Sequence, residues 1–372
     1  MKTKAKASAA SARPKPDVRA HKKIAPAVAA EVLRDRRFAV VGLEDGPEAG
    51  FGAVTAEHLR AAGAFVLGVV FGHAEGAAYR DDLCHEVLRV PDPASDAGGF
   101  ARELSHAVAK RGLHGIFAGS DKTAAALEQA RSMLDVPIVG APPPAMRSRL
   151  GAAGVLAAAG AGDLHAAPHA VPRFPAEDAA VALTFGFPML VGGADGVFRR
   201  AFDAGEAAKA AVDVRVRGLG DPVYFRYDAA RTVEIAAVID TRGRVVAVAA
   251  ARILSDDGRR RAWLAATCRP AAALAAVRRA ALRMKGVGAV VFSGLLLGDD
   301  LQFTDVRPGL PQWLAAAAQG GVDLVAYAYR VAAGLPAPAA PDVAEGWLFS
   351  QTAEDVVVDA GRLVTIGRET QS

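Results

Sequence analysis

Short, continuously apolar runs alternate over the first third of the chain with segments whose apolar residues fall on one helical face. The runs are Phe38–Leu43, Phe65–Phe71, Val87–Val90, His114–Ala118 and Val136–Val139. Between them the spacing predicts helices over Thr55–Ala62, with Thr55 as cap or first-turn residue, over Phe100–Arg111, with Leu104, Ala107 and Val108 on one face, and over Lys122–Met133. Strands that are apolar throughout belong in a sheet covered on both sides, and helical crossovers of this length make that sheet parallel. Right-handed crossovers then predict a small open α/β domain over residues 36–141, preceded by a basic tail over residues 1–35.

The rhythm changes after Pro142-Pro143-Pro144. A helix is expected over Met146–Ala159, followed by a small α+β unit with helix Ala176–Thr184, strands Pro188–Val191 and Val197–Arg200, and helix Gly205–Ala211. Together these fill residues 142–222. From 223 to 336 the pattern alternates, as in antiparallel strands with one wet face. The strands are Val223–Tyr227, Val233–Asp240 and Val245–Arg252, and Thr241–Arg244, with Gly243, forms a hairpin turn between the last two. Glu234 interrupts an apolar strand and is expected to face outward on a half-exposed sheet. Leu264–Leu282, broken by Arg269, Arg278 and Arg279, reads as a surface helix, with its long helical part at Ala271–Met284. Strands Ala289–Leu297 and Leu301–Val306 and helices Pro311–Ala318 and Val322–Ala333 follow. Residues 337–372 read as the end of a proline/alanine linker (Gly334–Pro341) and short strands at Trp347–Phe349, Val356–Val358 and Leu363–Ile366.

Composition adds limits. The 372 residues are 52% hydrophobic but only 6% aromatic, which suits close helix–sheet packing in two or three domains. No run supplies the roughly 20 apolar residues of a membrane span. The net charge of +4 is concentrated near the start, where Lys2, Lys4, Lys6, Arg13, Lys15, Arg19, Lys22 and Lys23 face only Asp17. That arm reads as a solubilising tail, with contact to nucleic acid or an acidic partner as the alternative. Arg259-Arg260-Arg261 reads as a solvated hairpin end, because no aromatic platforms interleave with it. Cys84 and Cys268 are too far apart in sequence for a CxxC site, and a reducing cytoplasm follows. The glycines after the first strand, Gly42, Gly46, Gly50 and Gly52, do not spell G-x-G-x-x-G, and Glu44 and Asp45 would repel a pyrophosphate. His165 and His169 are separated by Pro168 and lack a third ligand.

Several fragments resemble the ATP-grasp ligases over roughly Phe38 to Pro336. Ser148-Arg149 leading to Leu156-Ala157-Ala158-Ala159-Gly160 is similar to the helix that begins at that family's first phosphate-binding lysine. Phe185-Gly186-Phe187-Pro188-Met189-Leu190-Val191 is similar to the strand leading to its second. Asp240 with Arg242-Gly243-Arg244-Val245-Val246 resembles its central hairpin, and Asp305-Val306-Arg307-Pro308 with Gly321-Val322-Asp323-Leu324 its closing motif and final helix. The resemblance implies a pre-ATP-grasp parallel sheet domain followed by a two-lobed ATP-grasp-like domain, with ATP and Mg as the family's cofactors.

Aligned on those fragments, this chain departs where the chemistry lies. Arg149 stands at the first lysine and Gly192 at the second, leaving Gly192-Gly193-Ala194-Asp195-Gly196 as a shortened phosphate loop. An apolar residue near Phe292 falls at the first metal glutamate, Asp305 at the second, and Arg307 where an asparagine oxygen is expected. An acid is also missing near Phe225, at the hinge. Magnesium requires oxygen ligands, and an arginine supplies none. The expectation is therefore a non-catalytic, ATP-grasp-like structural or regulatory subunit working with a catalytic partner or as a homodimer. An anion site is expected on Arg149, Gly192, Gly193, Gly196 and Arg307, with Arg226, Arg252 or Arg283 close by. The alternative is a divergent carboxylate–amine or carboxylate–thiol ligase acting through an acyl phosphate. In that reading Arg149, Arg252 and Arg307 are catalytic candidates, and Asp305 and Glu234 hold metal.

Overall fold

The computed structural model describes residues 30–43, 51–71, 81–140, 165–166, 169–193, 198–218, 220–228, 231–256, 262–284, 288–298, 300–350 and 356–359. The expected helix over Met146–Ala159, the strand Leu363–Ile366, Arg149, Gly196 and the arginine triple at 259–261 lie outside them.

The N-terminal domain is the parallel sheet its apolar runs predict. Strands β1 (Arg37–Val41), β2 (Phe65–Phe71), β3 (Glu86–Val90), β4 (Gly115–Ala118) and β5 (Ile138–Val139) take the order β3-β2-β1-β4-β5. Every described neighbour pair is parallel. Crossover helices are α1 (Gly52–Ala61), α2 (Ala97–Arg111) and α3 (Asp121–Gln129). Local chemistry fixes their ends. The Asp96 side chain accepts the Gly99 N–H at the start of α2, Gly112 closes it in the left-handed region at φ 59°, and Ser120 and Thr123 form a capping box on α3. Thr55 is not the cap of α1. It is the first-turn residue that the sequence offered as the other possibility, and its Oγ1 donates to the Phe51 carbonyl at 2.7 Å.

A four-stranded antiparallel sheet follows, built from β7 (His169–Ala170), β8 (Met189–Gly192), β9 (Phe198–Ala201) and β10 (Val223–Arg226) in the order β7-β10-β8-β9. Helices α4 (Pro175–Phe185) and α5 (Ala204–Val216) cover one face through Ala182, Ala207, Ala210 and Ala211 against Met189, Val191 and Tyr224. Strand β10 pairs with β8, so the segment from Val223 belongs to this small sheet, and the chain passes to the next sheet only after it.

The large sheet has the order β17-β16-β13-β12-β11-β14-β15-β6. Its members are β6 (His165–Ala166), β11 (Thr232–Ile239), β12 (Val245–Asp256), β13 (Ala262–Cys268), β14 (Gly288–Leu297), β15 (Asp300–Pro308), β16 (Trp347–Ser350) and β17 (Val356–Asp359). Leu264–Cys268, read above as the start of a surface helix, is strand. The helix α6 (Ala271–Met284) begins only after Pro270, which cannot donate to a preceding turn. The last strands extend this sheet and form no separate tail. Helix α6 packs on the face of Val233, Ile235, Ala237 and Phe292. Helices α7 (Leu314–Gln319) and α8 (Leu324–Ala332) cover the other face, through Ala236, Val238, Ala249 and Val291, and also reach Phe38, Val40 and Phe117 of the N-terminal sheet. One continuous core thus ties the first domain to the large sheet. His165 and His169 lie on strands of different sheets, and no group of three or more metal-ligating side chains occurs among the described residues.

Candidate functional site

Pleating puts residues directly opposite in an antiparallel pair on the same face. Glu234 lies opposite Ser293, and Ser293 opposite Asp305. A row of three oxygen-bearing side chains therefore crosses β11, β14 and β15 on the face away from α6. All three are buried. The cleft-facing partner of Asp305 is Ser293. Phe292, expected at this place, is turned to the α6 side against Phe303, with ring centroids 5.9 Å apart. A one-residue offset reverses the face, and only the register resolves it.

Glu234 is not the outward-facing residue expected from alternation. Its side chain is 4% exposed, and both carboxylate oxygens are engaged: the Arg307 guanidinium donates to Oε1, and the Trp313 Nε1–H donates to Oε2 at 2.8 Å. Both faces of β11 are covered, one by α6 and the other by α7 and α8, so alternation along this strand does not mark a wet side. A carboxylate buried here requires a cation and hydrogen bonds, and Arg307 and Trp313 supply them.

The small sheet lies over this end of the row. Leu190, Val223, Phe225 and Tyr227 pack against Leu295 of β14. One cavity among the described residues at this junction, lined by Leu190, Tyr227, Thr232, Glu234, Ile253, Ser293, Gly294, Leu295 and Thr304, measures about 20 Å³. That is room for about one water molecule. A larger cavity of about 630 Å³ lies elsewhere, beside β5, α8 and the start of β14. Its described lining is mostly aliphatic, and it touches none of the row.

Gly192 ends β8 on the cleft face, opposite Val223 and Phe198, and Gly193 follows it; both are buried. Neither carries charge. The cation that does approach from this sheet is Arg200, which the sequence reading passed over. Its position is opposite Leu190, its Nη1 donates to the Tyr227 hydroxyl at 3.1 Å, and its guanidinium lies over the Tyr227 and Phe202 rings. Consecutive arginines on a strand face opposite ways, and Arg199 instead pairs with Asp213 of α5 at 2.8 Å. The dipeptide alone did not say which of the two faces the cleft.

The arginines expected near Arg307 are elsewhere. Arg252, opposite Val233, lies on the α6 face beside Cys268, whose thiol burial pushes up to about 11. Arg283 is on α6 itself and is exposed. Arg226 lies opposite Met189 on the helix-covered face of the small sheet and is also exposed. The structure therefore brings Glu234, Arg307 and Asp305 together and separates Arg252, Arg226 and Arg283 from them.

Among the described residues, Glu234 is poorly placed to ligate magnesium, and Asp305 is the row's other carboxylate. Both oxygens of Glu234 are committed to protein donors, Ser293 offers a neutral hydroxyl, and the Arg307 guanidinium lies among the carboxylates where it opposes a second cation. Nor does a lysine or arginine stand at Gly192 to meet a nucleotide phosphate.

No family model matches the sequence, and no curated protein matches it. Solved structures are similar in fold. The biotin carboxylase of Campylobacter jejuni, described as a complex with a β,γ-ATP ligand, superposes with a TM-score of 0.61 at 15% identity over 86% of this chain and 75% of that one. The biotin carboxylase domain dimer of Hydrogenobacter thermophilus 2-oxoglutarate carboxylase, bound to MgADP, ADP and bicarbonate, gives 0.60 at 15% identity over 84% and 73%. The N5-carboxyaminoimidazole ribonucleotide synthetase of Thermus thermophilus gives 0.57 at 17% identity over 84% and 82%. At 15–17% identity the likeness shows the fold alone: a parallel α/β domain followed by two antiparallel-sheet lobes, as in these enzymes.

Proposed function

We propose that this chain is a non-catalytic ATP-grasp-like protein, a structural or regulatory subunit of a ligase or biosynthetic complex, acting as a homodimer or beside a catalytic partner. One observation carries the reading: the guanidinium of Arg307 is held by the buried Glu234 carboxylate in the interlobe row, where a metal-dependent site needs free oxygen donors. Transfer of a phosphoryl group depends on preorganised positive charge around the transferring oxygens, and loss of one such contact costs about 3 kcal/mol, roughly a hundredfold in rate. Gly192 lacks that charge, and Arg307 displaces a ligand, so the deficits combine. Leu190, Phe225 and Tyr227 of the small sheet pack on Leu295 of β14 beside this row.

The oxygen row also supports a second reading, a divergent carboxylate–amine ligase, because Glu234, Ser293 and Asp305 share one face. Titration calorimetry with ATP, with and without magnesium, separates the two. The first reading expects no magnesium-dependent binding by the pure chain. Magnesium-dependent affinity together with ATP hydrolysis or acyl-phosphate formation would overturn it in favour of the ligase. Phosphate binding that needs no metal and disappears in Arg307→Ala would support a retained anion function.

A further inference from the structure

Helix α1 is fixed at both ends to the segments that frame the row. In its second half His58, whose side chain is 15% exposed, places Nε2 3.0 Å from Asp323 Oδ1. The same Asp323 oxygen accepts the Ala326 N–H at 2.9 Å and caps α8. At the other end Phe51 packs over Gly309, where an added Cβ would fall 2.2 Å from the ring. Gly309 lies two residues beyond Arg307, and α8 packs on β11, β12 and β14.

We infer that His58 and Asp323 form a proton-controlled clasp between the N-terminal domain and the large-sheet unit, tight while the imidazole carries both protons and slack once it loses one. The inference rests on this junction and is independent of whether the interlobe row is catalytic.

The charged and titratable groups around the pair are few. Helix α8 contributes Asp323 and Tyr327, and α1 itself contributes Glu57. Helix α7, which also packs on α1, carries no ionisable side chain. The turn Asp81–Leu83 brings Asp82, whose carbonyl oxygen accepts from Arg60 at 2.5 Å. Burial opposes the charged imidazole, but the attraction of Asp323, the hydrogen bond to it and the more distant Glu57 outweigh burial and raise the His58 pKa above 6.5. Burial would likewise raise Asp323, but His58 and the N–H groups of Ala326 and Val325 hold it below 3.8.

The signs follow. A raised histidine stabilises fully below its unfolded value of 6.5 and loses that contribution as pH climbs through the higher folded value. The depressed aspartate stabilises above 3.8 and loses its share as pH falls through its lower folded value. The clasp is therefore tightest between those limits. Above them a neutral ring can still donate one hydrogen bond, but that bond is roughly half as strong as the charge-assisted one.

The test is amide hydrogen exchange of the full chain, paired with NMR titration of the His58 ring across the histidine range. After correction for base catalysis of exchange, protection of the Ala326 amide should fall roughly fivefold as His58 deprotonates. In Asp323→Asn, which keeps an N-cap oxygen but no charge, the ring should titrate at lower pH than in the wild type and the step in protection should vanish. His58→Gln gives the same reading by an independent route, a flat profile. Protection that stays constant through the wild-type His58 titration, or a step that persists in either variant, would overturn the clasp.

Discussion

Replacing Arg307 by alanine tests the central electrostatic argument most directly. The substitution leaves the Glu234 carboxylate, 4% exposed, with the Trp313 indole as its one remaining partner of the two described. Breaking a buried ion pair on one side costs about 3–5 kcal/mol, chiefly because the surviving charge is stranded. Arg307 is 29% exposed, so water will enter the vacated space and screen part of the penalty; about 2–3 kcal/mol is expected. Glu234→Gln should cost about 1–2 kcal/mol, since the amide oxygen still accepts from Trp313 while Arg307 turns to solvent. The double variant has no stranded carboxylate. Its loss should fall short of the sum of the singles by about 1–2 kcal/mol, the coupling energy of the pair. Urea unfolding of the full chain, followed by tryptophan fluorescence, measures the cycle. Additive losses, or an Arg307→Ala cost below about 0.5 kcal/mol, would show a surface-like contact and remove the argument that this guanidinium is built into the row.

Two further substitutions test neighbouring parts of the structure. Gly309→Ala meets the Phe51 ring at 2.2 Å and a backbone φ of 97°, so a loss of about 2–4 kcal/mol is expected in thermal unfolding; a stability within experimental error of the wild type would refute the close packing of Phe51 on Gly309. Asp178→Ala removes both carboxylate contacts to Arg215, at 2.6 and 3.0 Å, from the junction of α4 and α5. It should weaken amide protection in the small lobe by about 2–3 kcal/mol while leaving the parallel sheet unchanged. Equal loss in both regions would mean that the lobes unfold as one unit.

Much of this protein was decided locally. Continuous apolar runs spaced by helical segments were enough to give the parallel sheet of β1 to β5, because such strands cannot face water on either side. The hairpin at Asp240–Arg244 follows from Gly243 at φ 78° and the Asp240 carboxylate accepting the Arg242 and Arg244 N–H groups. The lack of charge at Gly192 and the cation at Arg307 were legible as residue identities. Where those residues point was not. Glu234 faces Arg307 because β11 is covered on both sides, so the rule that a polar residue marks the wet face had nothing to act on. Ser293 takes the place opposite Asp305 because register, set by pairing across β14 and β15, moves every side chain to the other face on a one-residue slip. Leu264–Cys268 is strand because β12 and β16 offer hydrogen-bonding edges on either side of it, overriding an apolar pattern equally compatible with helix. Local sequence carries propensity and charge; partners, faces and neighbours come from contacts between residues far apart in the chain, which only the assembled sheets bring together.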